Sequence, residues 1–264
     1  MIIKPNKKLI LNRRKFIASA LGVIAAPSIV KAGSLSLLGV GKPFGGPPSP
    51  PYENLTFRNF ANSNLTTNPV TFSNCAIGTA NVNRQVIVCV TCISTSSGSF
   101  GVTIGGIGAT QLNLYEVDGG GGFYVYIGYY AANVPSGTLA DVVISKSNLF
   151  EGIRIGWWTV DVYQPLTPTS FDNNIITSGS SLSISNVSIP ADSFALASLV
   201  CIPLCSSATI NQSFSDRGDS NSGDPTSLSL SVADKEAVMT NQTVTWTTGN
   251  SIDARIASIL QMAP

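Results

Sequence analysis

Apolar runs alternate with turns rich in Gly, Pro, Ser and Asn from residue 52 to the end of the chain. Gln85–Ile93 is a continuous β-branched run, the pattern of a strand that is covered on both faces. Thr177–Ile189 alternates apolar and polar positions, with a slip at Asn186 that indicates a bulge. No helical period persists over this region, so the pattern predicts an all-β body.

Further segments carry the same strand signals and are bounded by turn residues. The predicted strands are Gln85–Ile93, Phe100–Ile104, Thr110–Val117, Phe123–Ala131, Asp141–Ser145, Ile153–Tyr163, Thr177–Ile189, Ser193–Leu204, Ser227–Val232, Val238–Thr247 and Ala254–Gln261. About ten or eleven strands with short turns favour a β-sandwich of jelly-roll or immunoglobulin-like type.

The N-terminal region has a different pattern. Residues 1–32 combine basic residues, an apolar stretch over residues 18–30 and a small residue, Ala32, before a cleavage point, which is the layout of a signal peptide. The pair Arg13-Arg14 resembles a twin-arginine targeting signal. The alternative is an uncleaved basic arm with a short buried helix that anchors the protein. The stretch is too short for a stable membrane span, and Pro27 interrupts it.

Residues 33–51 are dense in Pro and Gly, which predicts a linker. We therefore expect three segments: a signal-like leader or anchoring arm over 1–32, a linker over 33–51, and a β-sandwich domain over 52–264.

Composition and charge narrow the classes of function. The 264 residues include no His, which removes His-based nucleophile systems and His-ligated metal sites. Seven of the 15 basic residues lie in residues 1–32, which contain no acid, so residues 33–264 carry a formal charge of −6. A body of this sign repels nucleic acid, and we predict no nucleic-acid partner. No catalytic residue is predicted.

Several turn and strand markers carry a resemblance. They are Asn83–Val88, Val102–Thr110, Val134–Gly137 and Ser183–Val187, the last leading through Ile189-Pro190-Ala191-Asp192 into an Ala-rich strand. Together they resemble a β-sandwich domain of tail, fibre and other virion proteins of bacteriophages and prophages of alphaproteobacteria. Some of those proteins begin with a similar leader. Relatives often have a Gly-Gly pair where this chain has Asp192-Ser193. The resemblance implies a structural role and supplies no catalytic residues.

The five cysteines are Cys75, Cys89, Cys92, Cys201 and Cys205. An offset of three on a strand places Cys89 and Cys92 on opposite faces, which favours core packing over a shared metal ion. Cys201 and Cys205 would be about 13 Å apart on an extended strand, too far for a disulfide, although Pro203 allows a bend there. A bond between sheets, such as Cys89 to Cys201, is the other option.

The most polar stretch of the body is a Gly-containing loop near residue 220. Asp216, Asp219, Asn221 and Asp224 offer oxygen ligands for Ca²⁺ there, without the spacing of an EF-hand. The alternative is an exposed loop whose polar side chains bond to their own backbone. Apart from this calcium ion we predict no cofactor.

Aromatic residues suggest a second candidate site. Tyr124, Tyr126 and Tyr130 share one face of their strand and form a candidate sugar-stacking surface, with core packing as the alternative. A pair of acids for glycoside hydrolysis would come from Glu116, Asp118, Glu151 or Asp161, but nothing in the sequence selects a pair.

These observations favour a non-enzymatic virion protein that forms a homo-oligomer and contacts other virion proteins. It would be a tail, fibre or capsid-decorating component with a host-surface glycan as a further partner. The alternative is a twin-arginine-exported adhesin or carbohydrate-binding β-sandwich in the periplasm or outside the cell. A glycan hydrolase is the third hypothesis.

Overall fold

A computed structural model describes residues 50–64, 67–120, 122–146, 150–164, 167–176, 179–202, 207–220, 228–249 and 254–263. These residues form β-strands and no helix, which confirms the all-β prediction. The leader, with Arg13 and Arg14, and almost all of the predicted linker lie outside the described residues. Within the described part of the chain no helix has the length and apolar character needed to cross a membrane.

The strands in chain order are β1 (Tyr52–Ser63), β2 (Val70–Ala76), β3 (Arg84–Ser94), β4 (Gly101–Ile104), β5 (Ile107–Gly108), β6 (Thr110–Gly120), β7 (Phe123–Asn133), β8 (Leu139–Ser145), β9 (Phe150–Val162), β10 (Thr167–Ile176), β11 (Ser181–Ile189), β12 (Phe194–Ile202), β13 (Thr209–Ile210), β14 (Ser215–Ser220), β15 (Ser229–Lys235), β16 (Met239–Thr247) and β17 (Ala254–Ala263).

The strands form four antiparallel sheets, two from each half of the chain. The first outer sheet has the order β2-β8-β4-β5, and the first inner sheet has the order β1-β9-β3-β7-β6. The second inner sheet has the order β10-β17-β12-β15-β14, and the second outer sheet has the order β11-β16-β13.

Three apolar clusters fix the order of these sheets. One lies between the first outer and first inner sheets, and contains Phe72, Val88 and Ile144. The next joins the two inner sheets. The third lies between the second inner and second outer sheets. The body is therefore a stack of four layers, equivalent to two β-sandwiches packed through their inner sheets.

Strand β3 shows why both inner sheets lie inside the stack. Its even-numbered apolar residues, such as Val88, face the first cluster, and Ile87 and Cys89 face the cluster between the halves. The continuous apolar run predicts coverage on both faces, and the structure confirms it. The second inner sheet has the same property, because Leu196 and Ala197 of β12 face different clusters.

The second half of the chain repeats the connectivity of the first. With the two-residue β5 left out, each half has eight strands, and its inner sheet contains the first, eighth, third, sixth and fifth of them in that neighbour order. A local sequence match accompanies the repeat: Phe72-Ser73-Asn74-Cys75 on β2 corresponds to Ile184-Ser185-Asn186-Val187 on β11. Asn74 and Asn186 have φ values of 57° and 62°, and the pairing register shifts at both. The slip predicted at Asn186 is therefore a β-bulge that the chain uses twice.

The structure differs from the sequence prediction in the number of strands and layers. One sandwich is expected over residues 52–264, and the described residues among them form four sheets in four layers. Strands β1, β2, β10 and β14 were not predicted, because their polar residues and bulges obscure the alternation, and the two-residue strands β5 and β13 were also not predicted. At the unusual Asp192-Ser193 turn, Asp192 has a φ of 59°, a conformation that Asp tolerates better than most residues.

A small polar network lies at the centre of the contact between the halves. The Tyr129 hydroxyl bonds to the Leu196 carbonyl oxygen at 3.2 Å and to Ser198 Oγ at 2.7 Å. Ser198 Oγ in turn lies 2.8 Å from Ser258 Oγ. All four residues are fully buried, so these bonds satisfy groups that water does not reach. The inner sheets also meet closely at Gly156, where a Cβ atom would lie 3.3 Å from Val232 Cγ1.

Replacing Tyr129 with Phe removes a hydroxyl that connects the two halves. We expect the free energy of unfolding to fall by about 1–2 kcal/mol, because the Ser198 hydroxyl loses a partner in a dry interface. Urea denaturation measures this change. The matched control is Tyr115→Phe, since Tyr115 is only partly buried, and we expect it to change stability by less than about 0.5 kcal/mol. Equal effects of the two substitutions would contradict the prediction.

Candidate functional site

A polar cleft opens at one end of the first inner sheet. Its volume is about 370 Å³, which lies at the low end of the range for small-molecule sites. It is lined by three strands of the sheet and by the β2–β3 loop, with the residues Asn54, Thr56, Arg58, Gly78, Thr79, Ala80, Asn81, Arg84, Thr159 and Asp161.

Arg84 forms the floor of this cleft and holds two loops together. Its Nε donates to the Val134 carbonyl oxygen at 2.8 Å. Nη1 donates to the carbonyl oxygens of residues 77, 78 and 79, and Nη2 donates to those of residues 136 and 137, at 2.7–3.2 Å. Arg84 is 1% exposed. Burial lowers the pKa of Arg84, the nearby Arg58 lowers it further, and Asp161 opposes both. The donors of Arg84 are thus used within the protein.

Arg58 presents a second guanidinium group to the same cleft. Its Nε donates to Thr159 Oγ1 at 2.6 Å. Its terminal amino groups lie over Gly78, where a Cβ atom would come within 2.3 Å of Nη2. Gly78 also has a φ of 73°, so glycine meets both the conformational and the steric requirement. Burial lowers the pKa of Arg58, and Asp161 opposes this change.

Asp161 supplies the negative charge of the cleft. Its Oδ2 accepts a hydrogen bond from Asn54 Nδ2 at 2.9 Å. A bulge between Glu53 and Thr56 allows Leu55 to enter the core while Asn54, with a φ of 57°, lines the cleft. Asp161 forms no direct ion pair with Arg58, although both lie in the described part of the chain.

Tyr163 lies beside the cleft. It is 45% exposed, and its hydroxyl donates to Glu53 Oε2 at 3.3 Å. Its hydroxyl also interacts with the side chain of Asn81, which lines the cleft. The slight burial of the hydroxyl and the charge of Glu53 raise the pKa of Tyr163. The rim therefore combines an exposed aromatic ring with amide and carboxylate groups.

The aromatic residues predicted to bind sugar do not form an open surface. Tyr126 and Tyr130 are 0% and 1% exposed and lie in the cluster between the first outer and first inner sheets. Tyr124 is half-buried against the same cluster. For Tyr126 and Tyr130 the stacking prediction is corrected to core packing, because no ring face is open to a ligand. Both faces of this strand are core, whereas only one was expected to be.

A buried lysine explains why Tyr126 is held in this position. Lys146 Nζ donates to the Tyr126 hydroxyl at 2.7 Å and to Ser94 Oγ at 3.2 Å. It also lies 3.9 Å from the centre of the Tyr126 ring. Burial lowers the pKa of Lys146, while Cys92 and Glu116 oppose the change.

The residues of the predicted calcium site have other roles where they are described. Asp216 and Asp219 lie on β14 and not in the loop that was predicted, and Asp216 Oδ1 accepts a bond from the backbone N–H of Gly218. Asp219 accepts hydrogen bonds from Ser231 Oγ and the backbone N–H of Ala208. Asn221 and Asp224 lie outside the described residues. In the described part of the chain no group of three or more Cys, Asp or Glu side chains is placed to hold a metal ion.

The cysteines follow the predicted geometry in part. Cys89 and Cys92 face different clusters and are buried free thiols, as is Cys75. Cys201 is disulfide-bonded, and its partner is none of these three, which corrects the Cys89–Cys201 pairing. Cys205 lies outside the described residues.

The four acids considered for glycan hydrolysis do not gather at one place. Asp161 lines the cleft, whereas Glu116 Oε2 accepts a bond from the backbone N–H of Gly98 in another part of the first half. Asp118 lies near the end of β6, and nothing is described of the Glu151 side chain. The acid opposite Asp161 in the strand register is Glu53.

Sequence reasoning missed Arg58, Arg84 and Tyr163. An arginine at the start of a buried strand was the available signal for Arg84, because a cation there needs acceptors from neighbouring loops. Arg58 lies on a strand that was not predicted. Compared with known proteins, the chain matches no family model and no curated protein at a significant level.

Replacing Arg84 with Lys keeps the charge but leaves at most three donors for six carbonyl oxygens. We expect the free energy of unfolding to fall by about 3 kcal/mol or more, because buried acceptors lose their partners. Urea denaturation measures this loss. Arg58→Lys, in which one bond to Thr159 is at stake, is the control and should cost about 1 kcal/mol or less. If Arg84→Lys lowers the free energy of unfolding no more than Arg58→Lys does, the role of Arg84 in holding the two loops together is contradicted.

Thiol labelling tests the state of the cysteines. Burial raises the pKa of Cys89 to about 12 and raises the pKa of Cys92 strongly, so neither forms a thiolate at pH 8 in the folded protein. We expect almost no reaction with a disulfide reagent before unfolding. In urea without reductant we expect three thiols, from Cys75, Cys89 and Cys92. Five thiols in urea would show that Cys201 is not oxidised.

Proposed function

We propose that the protein is a non-enzymatic structural component of a bacteriophage virion: a tail, fibre or capsid-decorating protein. The observation that carries this proposal is the repeated connectivity of the two halves. Counted without the two-residue β5, each half has eight strands, and its inner sheet contains the first, eighth, third, sixth and fifth. The other sheet contains the second, seventh and fourth. This order resembles that of a jelly roll, a fold that occurs in viral capsid proteins and lectins.

The packing supports a building-block role. Both faces of each inner sheet are covered, and the halves are joined by a buried apolar interface with a polar network at its centre. Such an interior makes a stiff unit, because close-packed layers resist deformation. The link from fold to role is an analogy between folds, and the resemblance to phage virion proteins points the same way.

Assembly follows from this proposal. We propose a homo-oligomer that also contacts other virion proteins, with the N-terminal leader as an anchoring arm and the virion as its location. The alternative is a twin-arginine-exported adhesin or carbohydrate-binding protein of the periplasm or cell surface. The polar cleft beside Tyr163 favours surface binding under either proposal.

Intact mass and N-terminal sequencing of the protein from its native source separate the two proposals. Virions, periplasm and culture supernatant are analysed as separate fractions. The structural proposal predicts a chain that begins at Met1 in purified virions. A chain that begins near Gly33 in the periplasmic or secreted fraction, and is missing from virions, would overturn it and support export.

A further inference from the structure

The cleft beside Tyr163 has features that the proposed assembly role does not require. Arg84 uses its donors on loop carbonyl groups and is fixed in place. Arg58 is bound to protein through Nε, and its terminal amino groups have no acceptor among the described residues. A guanidinium edge that is already oriented by Thr159 and Gly78 is a preorganised donor pair for a ligand.

The charge balance of the cleft selects the kind of anion. Arg58 and Arg84 bring two positive charges to the cleft and Asp161 brings one negative charge, so the balance of +1 matches a monoanion better than a dianion such as phosphate. A carboxylate has a single charge and two oxygens at the spacing of the guanidinium edge. The cleft thus fits a monoanion better than a phosphate group.

The remaining groups fit hydroxyl-rich ligands. Asp161 uses Oδ2 for Asn54 and leaves Oδ1 without a donor among the described residues. Asn81 and Asn54 add amide groups at the same opening. Carboxylate oxygens accept bonds from hydroxyl groups, and amides both donate and accept. Tyr163 adds a large exposed ring beside them, which can pack against the apolar face of a sugar ring.

We propose that this cleft binds a saccharide residue that carries a carboxylate, such as a uronic acid unit of an acidic polysaccharide. Arg58 binds the carboxylate, Asp161 and Asn81 bind ring hydroxyl groups, and Tyr163 covers one face of the ring. The proposed binding does not rest on the assembly role, because all of these residues belong to one chain and can be tested in the purified protein.

Affinity electrophoresis of the full chain tests this site. The gels contain one of four acidic polysaccharides (polygalacturonate, alginate, hyaluronan or polysialic acid), a neutral polysaccharide (dextran or galactan), or polyphosphate. We expect at least one acidic polysaccharide to retard the protein with an affinity about tenfold or more above that for the neutral polymers and polyphosphate.

Variants assign the binding to the cleft. Arg58→Gln and Tyr163→Ala should each weaken binding about tenfold, which corresponds to about 1.4 kcal/mol. Arg58→Lys keeps the charge without the planar edge and should weaken binding several-fold. Lys235→Gln removes a positive charge from the second half and should bind like the wild type. Circular dichroism of each variant shows that it is folded.

Three results would overturn the proposal. One is the lack of retardation by all four acidic polysaccharides. Another is equal retardation by polyphosphate, which would indicate attraction of charge alone. The last is binding that survives both Arg58→Gln and Tyr163→Ala in folded protein. None of these results bears on whether the chain is a virion component, which the fractionation of virions decides separately.

Discussion

The two inner sheets are apolar on both faces, and this property determines the rest of the structure. An apolar face left in water is costly, at roughly 25 cal/mol for each Å². Each inner sheet must therefore be covered twice: once by its own outer sheet and once by the other inner sheet. Residues such as Ile87 and Val88, adjacent on β3, enter different clusters. Each half has the two layers of a sandwich, but in isolation it would leave the second apolar face of its inner sheet exposed.

Polar and charged groups buried inside the stack need hydrogen-bond partners within the protein. Asp234, 3% exposed, is satisfied by Arg217, at 2.7 and 2.8 Å, and by the indole N–H of Trp158, at 2.8 Å. Because Trp158 is on the first inner sheet and Asp234 on the second, this group also joins the halves. The buried cations Arg84 and Lys146 donate hydrogen bonds within the first half, to backbone carbonyl and side-chain oxygens. Charge in this protein is rare, and several of its buried charges hold elements together.

The sequence pattern was sufficient to predict strands that are covered on both faces and strands in which apolar and polar positions alternate regularly. The runs at β3, β12 and β17 are examples, since their apolar residues leave little choice of structure. It was insufficient for β1, where a bulge at Asn54 breaks the alternation, and for the number of sandwiches. The tandem repeat leaves only a short sequence trace, around Asn74 and Asn186. The cleft was not predictable, because Arg58, Gly78 and Asp161 come together only when β1 pairs with β9.

We expect the two halves to unfold as one cooperative unit, because they share the apolar cluster between their inner sheets. Equilibrium unfolding in urea tests it with one tryptophan signal from each half. Trp157 and Trp158 report on the first half when Trp246 is replaced by Phe, and Trp246 reports on the second half when the other two are replaced. In each variant we expect the tryptophan fluorescence transition to have the same midpoint as the transition of the whole chain measured by circular dichroism. Two separated transitions, with one half still folded while the other is unfolded, would contradict the claim.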